Sequence, residues 1–117
     1  MTLRDRQVGD VTILDIDGRI TIQDGVDMFR AVIRQLLALS RIQLILNLHD
    51  VPYIDSTALG EIVRVDGSAT RRGGGMRLLH VGPHVRDLLT VTRLLPIFDL
   101  RDDEADAVKS LGVARLP

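Results

Sequence analysis

The sequence predicts an α/β domain built on a mixed, mostly parallel sheet. Three observations predict it. Strand and helix periodicities alternate along most of the chain. One segment, Leu44-Ile45-Leu46-Asn47-Leu48, is almost continuously apolar, which is the pattern of a strand covered on both faces. The chain also opens on two strand-like segments joined by a tight turn, which adds an antiparallel strand to the parallel set.

The elements follow in order. Leu3 to Val8 and Val11 to Ile16 read as strands flanking Gly9-Asp10, and a turn follows at Asp17-Gly18. From about Asp24 to Leu39 the period becomes helical. Val26, Phe29, Ile33 and Leu36/Leu37 share one face, Asp27, Arg30 and Arg34 the other, and Asp24 is the candidate N-cap. After the apolar strand, a second helix starts near Ser56 or Thr57. Ala58, Ile62, Val65 and Ala69 form its inner stripe; Glu61, Arg64, Ser68 and Arg71 form its outer one. Gly73-Gly74-Gly75 ends it. Met76 to Val81 is the next strand, and Gly82-Pro83 opens a third helix with Val85, Leu88, Leu89 and Thr92 facing inward. Pro96 ends that helix, and Ile97 to Leu100 reads as a short last strand. Asp102, Asp103 and Glu104 suit the start of a final helix, which Gly112 ends. The order ββαβαβαβα gives about five strands and about four helices. No linker, repeat or low-complexity segment divides the chain, and its 117 residues fit one domain, 1–117.

Composition narrows the function. Hydrophobic residues make up 45% and charged residues 26%, a globular profile. With 15 basic and 16 acidic side chains the net charge is -1, so no field steers the chain to nucleic acid or an anionic membrane. Three aromatics, Phe29, Tyr53 and Phe98, are too few for a base-stacking platform. There is no cysteine, which removes disulfides, thiolate nucleophiles and sulfur-ligated metals. The opening MTLRDRQVGD has no apolar signal core, and no apolar run reaches the roughly 18 residues of a membrane helix. The expected location is the cytoplasm.

Catalytic and metal motifs fare poorly. His80 and His84 are separated by Gly82-Pro83, and His49 stands alone, so strand-end or surface histidines are expected, and no metal or cofactor. Ser56, His49 and Asp55 could compose a hydrolytic triad, but the flanking glycines of a nucleophile elbow are missing. Arg71-Arg72-Gly73-Gly74-Gly75 leads from a helix into a strand, the wrong direction for a phosphate loop. The expectation is a binding protein and not an enzyme, with no catalytic residue.

What remains is Val51 to Gly60, VPYIDSTALG, just past the carboxyl end of the buried strand. In open parallel sheets function collects at this edge. Asp55 or Ser56 caps the helix on the simplest reading. Capping accounts less well for Asp55-Ser56-Thr57 followed by Gly60, a residue that costs roughly 1 kcal/mol inside a helix. Gly60 and Gly67 share a face, where either close helix packing or close approach of a partner would use them. On spacing alone, cap and functional site remain equally open.

The residues Ile45-Leu46-Asn47-Leu48-His49-Asp50-Val51 and Ile54-Asp55-Ser56-Thr57-Ala58-Leu59-Gly60 resemble the signature of STAS domains, bacterial anti-sigma factor antagonists among them. The resemblance extends to the opening hairpin, Asp17-Gly18-Arg19-Ile20, the Gly-rich turn before Met76, and Leu94 to Phe98. It implies a STAS-like fold and makes Ser56 the acceptor of a phosphoryl group. The donor would be a partner kinase that is also an anti-sigma factor, and a PP2C-type phosphatase would reset the site. The partner face it implies comprises Thr21, Asp24, Asp55, Ser56, Thr57, Ala58 and Gly60. The protein would be a monomer or weak dimer that touches neither nucleic acid nor membrane directly. Two positions depart from the family pattern: Ala58 replaces a usual glycine and Thr21 a frequent acidic residue, for which Asp24 is the expected substitute. The alternative within the family is a non-catalytic subunit of a larger assembly, such as a stress-signalling scaffold or a lipid-transport complex. A phosphorylatable serine favours the antagonist, because a permanent contact needs none.

Overall fold

The computed structural model describes residues 1–113. Five strands form one sheet in the order β1-β2-β3-β4-β5: Thr2–Val8, Val11–Asp17, Gln43–Asp50, Gly75–Leu79 and Leu100–Arg101. Gly9 takes a positive φ of 61° in the turn that makes β1 antiparallel to β2. The other neighbours are parallel. Four α-helices, α1 (Val26–Ala38), α2 (Ser56–Arg71), α3 (Pro83–Val91) and α4 (Glu104–Val113), connect or follow the strands.

The two-sided apolar run at β3 has a direct cause. Leu44, Leu46 and Leu48 join the core under α1, α2 and α3 with Phe29, Ile33, Ile62, Val65, Val85 and Leu89. Ile45 points the other way, into a smaller cluster with Val11, Ile13, Leu79 and the α4 residues Ala107 and Leu111. One helix cannot cover a whole sheet face. Beyond Ile45, β3 continues on that side with Asn47, which is half-buried, and His49, which is exposed.

The edge of α4 is secured by charge. The Arg6 guanidinium of β1 binds Asp15 of β2 at 2.7 and 3.2 Å and also the Glu104 carboxylate at the start of α4. Asn47 donates to Asp15 Oδ1 at 2.8 Å. Hydrogen bonding to Arg6 holds both carboxyls below their ordinary range.

Several sequence expectations shift in detail. Asp24 does not cap α1; Gly25 does, with φ 103°, and the helix starts at Val26. Ile97 to Leu100 is not one strand. Leu95–Ile97 forms a 3₁₀ turn containing Pro96, and only Leu100–Arg101 pairs with β4. β4 stops at Leu79, where His80 takes φ 58° while its N–H still donates to the Arg101 carbonyl at 3.0 Å. Thr92 is exposed and its hydroxyl donates to the Leu88 carbonyl instead of entering the core. Gly112 lies within α4. Glu61 is buried, not on an outer stripe, with Arg30 at 3.0 Å. The Gly73 C-cap region behaves as expected, with φ 90°, and Gly74 is required for a separate reason: a Cβ there would fall 2.0 Å from the Ile42 carbonyl oxygen. No helix among the described residues is long and apolar enough to cross a membrane.

The Arg6 bridge is testable through stability. Because its partners are about one-third exposed (33% for Asp15, 40% for Glu104), solvent screens it, and Arg6→Met should cost only about 1 kcal/mol in urea unfolding at neutral pH. The two carboxyls have folded pKa values lowered from an unfolded value near about 4. Their contribution is therefore full above that range and disappears as pH falls through the lowered values. The stability gap between wild type and Arg6→Met should close on acidification; a gap that widened in acid would refute the bridge.

Candidate functional site

The carboxyl ends of β2 and β3 are stitched together by backbone pairing. Gly18 N–H donates to the Asp50 carbonyl at 2.9 Å, Ile20 N–H to Tyr53 at 3.1 Å, and Asp55 N–H to Ile20 at 3.2 Å. Ile20 and Ile54, both buried, form a parallel bridge at this point. Two loops that are far apart in sequence thus become one platform beside the start of α2.

Asp55 fixes that platform. It is the N-cap of α2, and its Oδ1 accepts from Ala58 N–H at 2.9 Å. Its Oδ2 accepts from Ile22 N–H at 2.8 Å, in the loop after β2. One carboxylate therefore satisfies a free helix amide and ties down the neighbouring loop. That loop is further closed by reciprocal backbone bonds between Thr21 and Asp24 at 2.7 and 3.1 Å, with Asp24 N–H also donating to Thr21 Oγ1 at 3.0 Å. Asp24 Oδ1 lies 3.3 Å from the Met1 ammonium.

Ser56 is the first residue of α2, immediately after the cap. It is exposed, and its hydroxyl makes no hydrogen bond among the described residues. Of the two capping candidates, Asp55 supplies the cap and Ser56 does not. Beside Asp55 is an open cleft of about 320 Å³ lined by Arg19, Thr21, Ile22, Gln23, Tyr53 and Asp55. Ile22 is 65% and Tyr53 38% exposed, so the rim carries apolar surface. Tyr53 also packs on His84 of α3, with ring centroids 5.2 Å apart.

The structure brings Thr21, Asp55 and Ser56 into one neighbourhood, with Asp24 and Thr57 adjoining. Ala58 departs from its expected place in a partner face. Its side chain is wholly buried in the core, so its methyl group faces the sheet and cannot crowd a partner. Gly60 is exposed, and a Cβ there would meet nothing within 4 Å. Gly67 would meet only the movable Arg71 side chain. Close helix packing therefore does not account for either glycine. The partner face expected from sequence left out Arg19, Ile22 and Tyr53, which line the cleft; an isoleucine among polar loop residues was the available signal for Ile22. His49 is paired with Asp50, 2.9 Å from its Nδ1, and its ring meets His80 edge-on at 5.7 Å. Among the described residues no group of acidic or histidine side chains could hold a metal ion.

The model of the STAS domain family matches residues 2–107. The chain belongs to the STAS domain family. Its backbone is similar to that of a candidate anti-sigma factor antagonist from Thermotoga maritima at 27% identity, covering 94% of each chain with a TM-score of 0.87. The anti-sigma factor antagonist SpoIIAA in its unphosphorylated form is matched at 15% identity over 98% of this chain and 100% of that one, TM-score 0.73. The phosphorylated form of SpoIIAA from Bacillus is matched at 18% identity over 93% and 98%, again with TM-score 0.73. The STAS-like mixed sheet anticipated from sequence is thus the observed one, and this STAS chain shares its fold with proteins described as anti-sigma factor antagonists.

Two substitutions separate the structural from the available residues of this STAS site. Asp55→Ala should destabilise the protein by about 1–2 kcal/mol, since it removes a cap and a loop tie together. Gly60→Ala should instead stabilise it by about 0.5–1 kcal/mol, because open space receives the methyl and helix propensity improves. Thermal and urea unfolding of both variants checks the pair; a destabilised Gly60→Ala would mean that the fold itself requires the glycine.

Proposed function

We propose that this protein is an anti-sigma factor antagonist whose binding is switched by phosphorylation of Ser56. The observation that carries the reading is an exposed serine with an unengaged hydroxyl at the first position of α2, set in place by an Asp55 cap that does not use it. In its unmodified form the protein binds an anti-sigma factor that is also a serine kinase, releases the sigma factor, and so regulates transcription. A PP2C-type phosphatase restores that form. The contact face comprises Thr21, Asp24, Asp55, Ser56, Thr57 and Gly60, widened by the exposed Ile22 and Tyr53. The chain acts as a single cytoplasmic domain, monomeric or weakly dimeric, and performs no chemistry itself.

The physics supports a switch without rearrangement. A phosphoryl group brings about -1.5 to -2 charges at neutral pH. At Ser56 it meets the positive end of the α2 dipole, where the Ser56 and Thr57 amides have no partner among the described residues. The fold therefore tolerates the charge. A partner pressed against Ser56 does not, because a dianion beside Asp55 repels acidic groups and loses hydration in a close interface.

A pull-down from the native cell with Ser56→Ala and Ser56→Asp tests the reading. Ser56→Ala should capture an anti-sigma factor of the ATPase fold and Ser56→Asp should lose it. Mass spectrometry of the wild-type protein should place phosphate on Ser56. Equal capture by both variants would overturn the switch, and capture of membrane transporter subunits would point to the assembly role.

A further inference from the structure

We propose that the cleft between α1 and α2 docks an acidic amphipathic segment of a partner protein, taking one apolar side chain inside and carboxylates at Arg34 and Arg64. The proposal stands apart from Ser56, since it needs neither a kinase nor phosphorylation. The cleft has a volume of about 150 Å³ and is lined by Arg30, Ile33, Arg34, Glu61, Arg64 and Val65. Small-molecule pockets usually run to about 300–1,000 Å³, so this space suits a single side chain better than a free ligand. Ile33 and Val65, each 4% exposed, give the cavity an apolar floor.

Charge selects what arrives. Three guanidinium groups and one carboxylate line the cleft, a surplus of two positive charges on a chain whose net charge is -1. The three cations are not equivalent. Arg30 is occupied, at 3.0 Å from Glu61 and 3.4 Å from Asp27. Glu61 is in turn stabilised as the anion by its hydrogen bond to Arg30, with Arg64 and Arg34 adding to the effect. Arg64 stands 4.0 Å from Glu61 with its side chain 75% exposed, and Arg34 is exposed with no hydrogen bond among the described residues. Glu61 thus anchors one arginine and leaves two facing solvent. An apolar slot rimmed by two guanidinium groups is complementary to an apolar side chain flanked by carboxylates, presented on a helix laid along the groove.

Nucleic acid fits less well. Two available arginines give a weak phosphate track, and no aromatic residue lines the cleft for base stacking.

The test is an NMR titration of the full 15N-labelled chain with a synthetic helical peptide of Ala and Glu bearing one Leu flanked by Glu residues a turn away on each side. Amide shifts should concentrate on Ile33, Arg34, Arg64 and Val65. Affinity should fall about tenfold in an Arg34→Glu/Arg64→Glu variant and by a similar factor when the peptide Leu becomes Ala. It should also weaken as salt rises toward 1 M, where the screening length is about 3 Å. Both arginines are exposed, and circular dichroism verifies that the variant folds. The inference fails if the titration gives no shifts, or if a scrambled peptide of the same composition matches it. It also fails if inorganic phosphate or a short oligonucleotide reproduces the shifts, or if the same amides move with protein concentration alone, which would indicate self-association. Ser56→Asp should leave the titration unchanged; a loss of peptide binding in that variant would overturn the independence of the two surfaces.

Discussion

Burial of β3 on both faces organises this molecule. Leu44, Leu46 and Leu48 lie under three helices, while Ile45 lies under one. The unequal cover divides the sheet into a thick, apolar side and a side whose cover ends part-way along. At that limit apolar residues give way to Asn47 and His49, and the Arg6, Asp15 and Glu104 cluster ties β1, β2 and α4 together. Central placement of β3 also delivers its carboxyl end, and that of β2, to one edge. Everything assigned to function around Ser56 is built on that edge.

At the edge, one carboxylate acts on two parts of the backbone. Asp55 caps α2 and holds Ile22, so loops 33 residues apart are tied into a unit. Rigidity of this sort suits a switch that works by charge. If the platform moved freely, a partner would lose affinity through the cost of ordering it, and a phosphoryl group would have several ways to escape an unfavourable contact. With the platform fixed, a partner docked there under the proposed switch would meet a charge placed on Ser56 in one geometry.

Much of the fold was legible because its strongest signals are local. Gly9-Asp10 between alternating residues specified the hairpin, and the Leu44 to Leu48 run specified the central strand. The errors share a different character. Ile97 to Leu100 has strand-like composition, but Pro96 belongs to a 3₁₀ turn and pairing with β4 begins only at Leu100. Asp24 resembles a cap, yet the loop closes on Thr21 first and leaves Gly25 to start α1. Glu61 falls on a polar stripe by period, and it is buried because Arg30 arrives from another helix. Glu61 and the start of β5 are decided by contacts from elsewhere in the chain, and Asp24 by a tight turn to Thr21 that competes with capping. The site shows the same division. Asp55 and Ser56 could be found as neighbours in sequence, whereas their separate duties, the inward face of Ala58, and the proximity of Arg19, Ile22 and Tyr53 depend on the meeting of two loops.

The sheet has two rims, and their chemistry bears on how copies of the chain coexist. One rim, β5, is only two residues long. The other, β1, runs for seven residues with Arg4, Asp5 and Arg6 at its middle. A bare strand edge is a template on which another strand can grow, and short length and charge are two means of blunting it. Arg4 and Asp5 are exposed and supply that charge, while Arg6 is engaged by Asp15 and Glu104. The outermost strand thus divides its charged residues between fastening the fold and making its margin a poor template for a second copy.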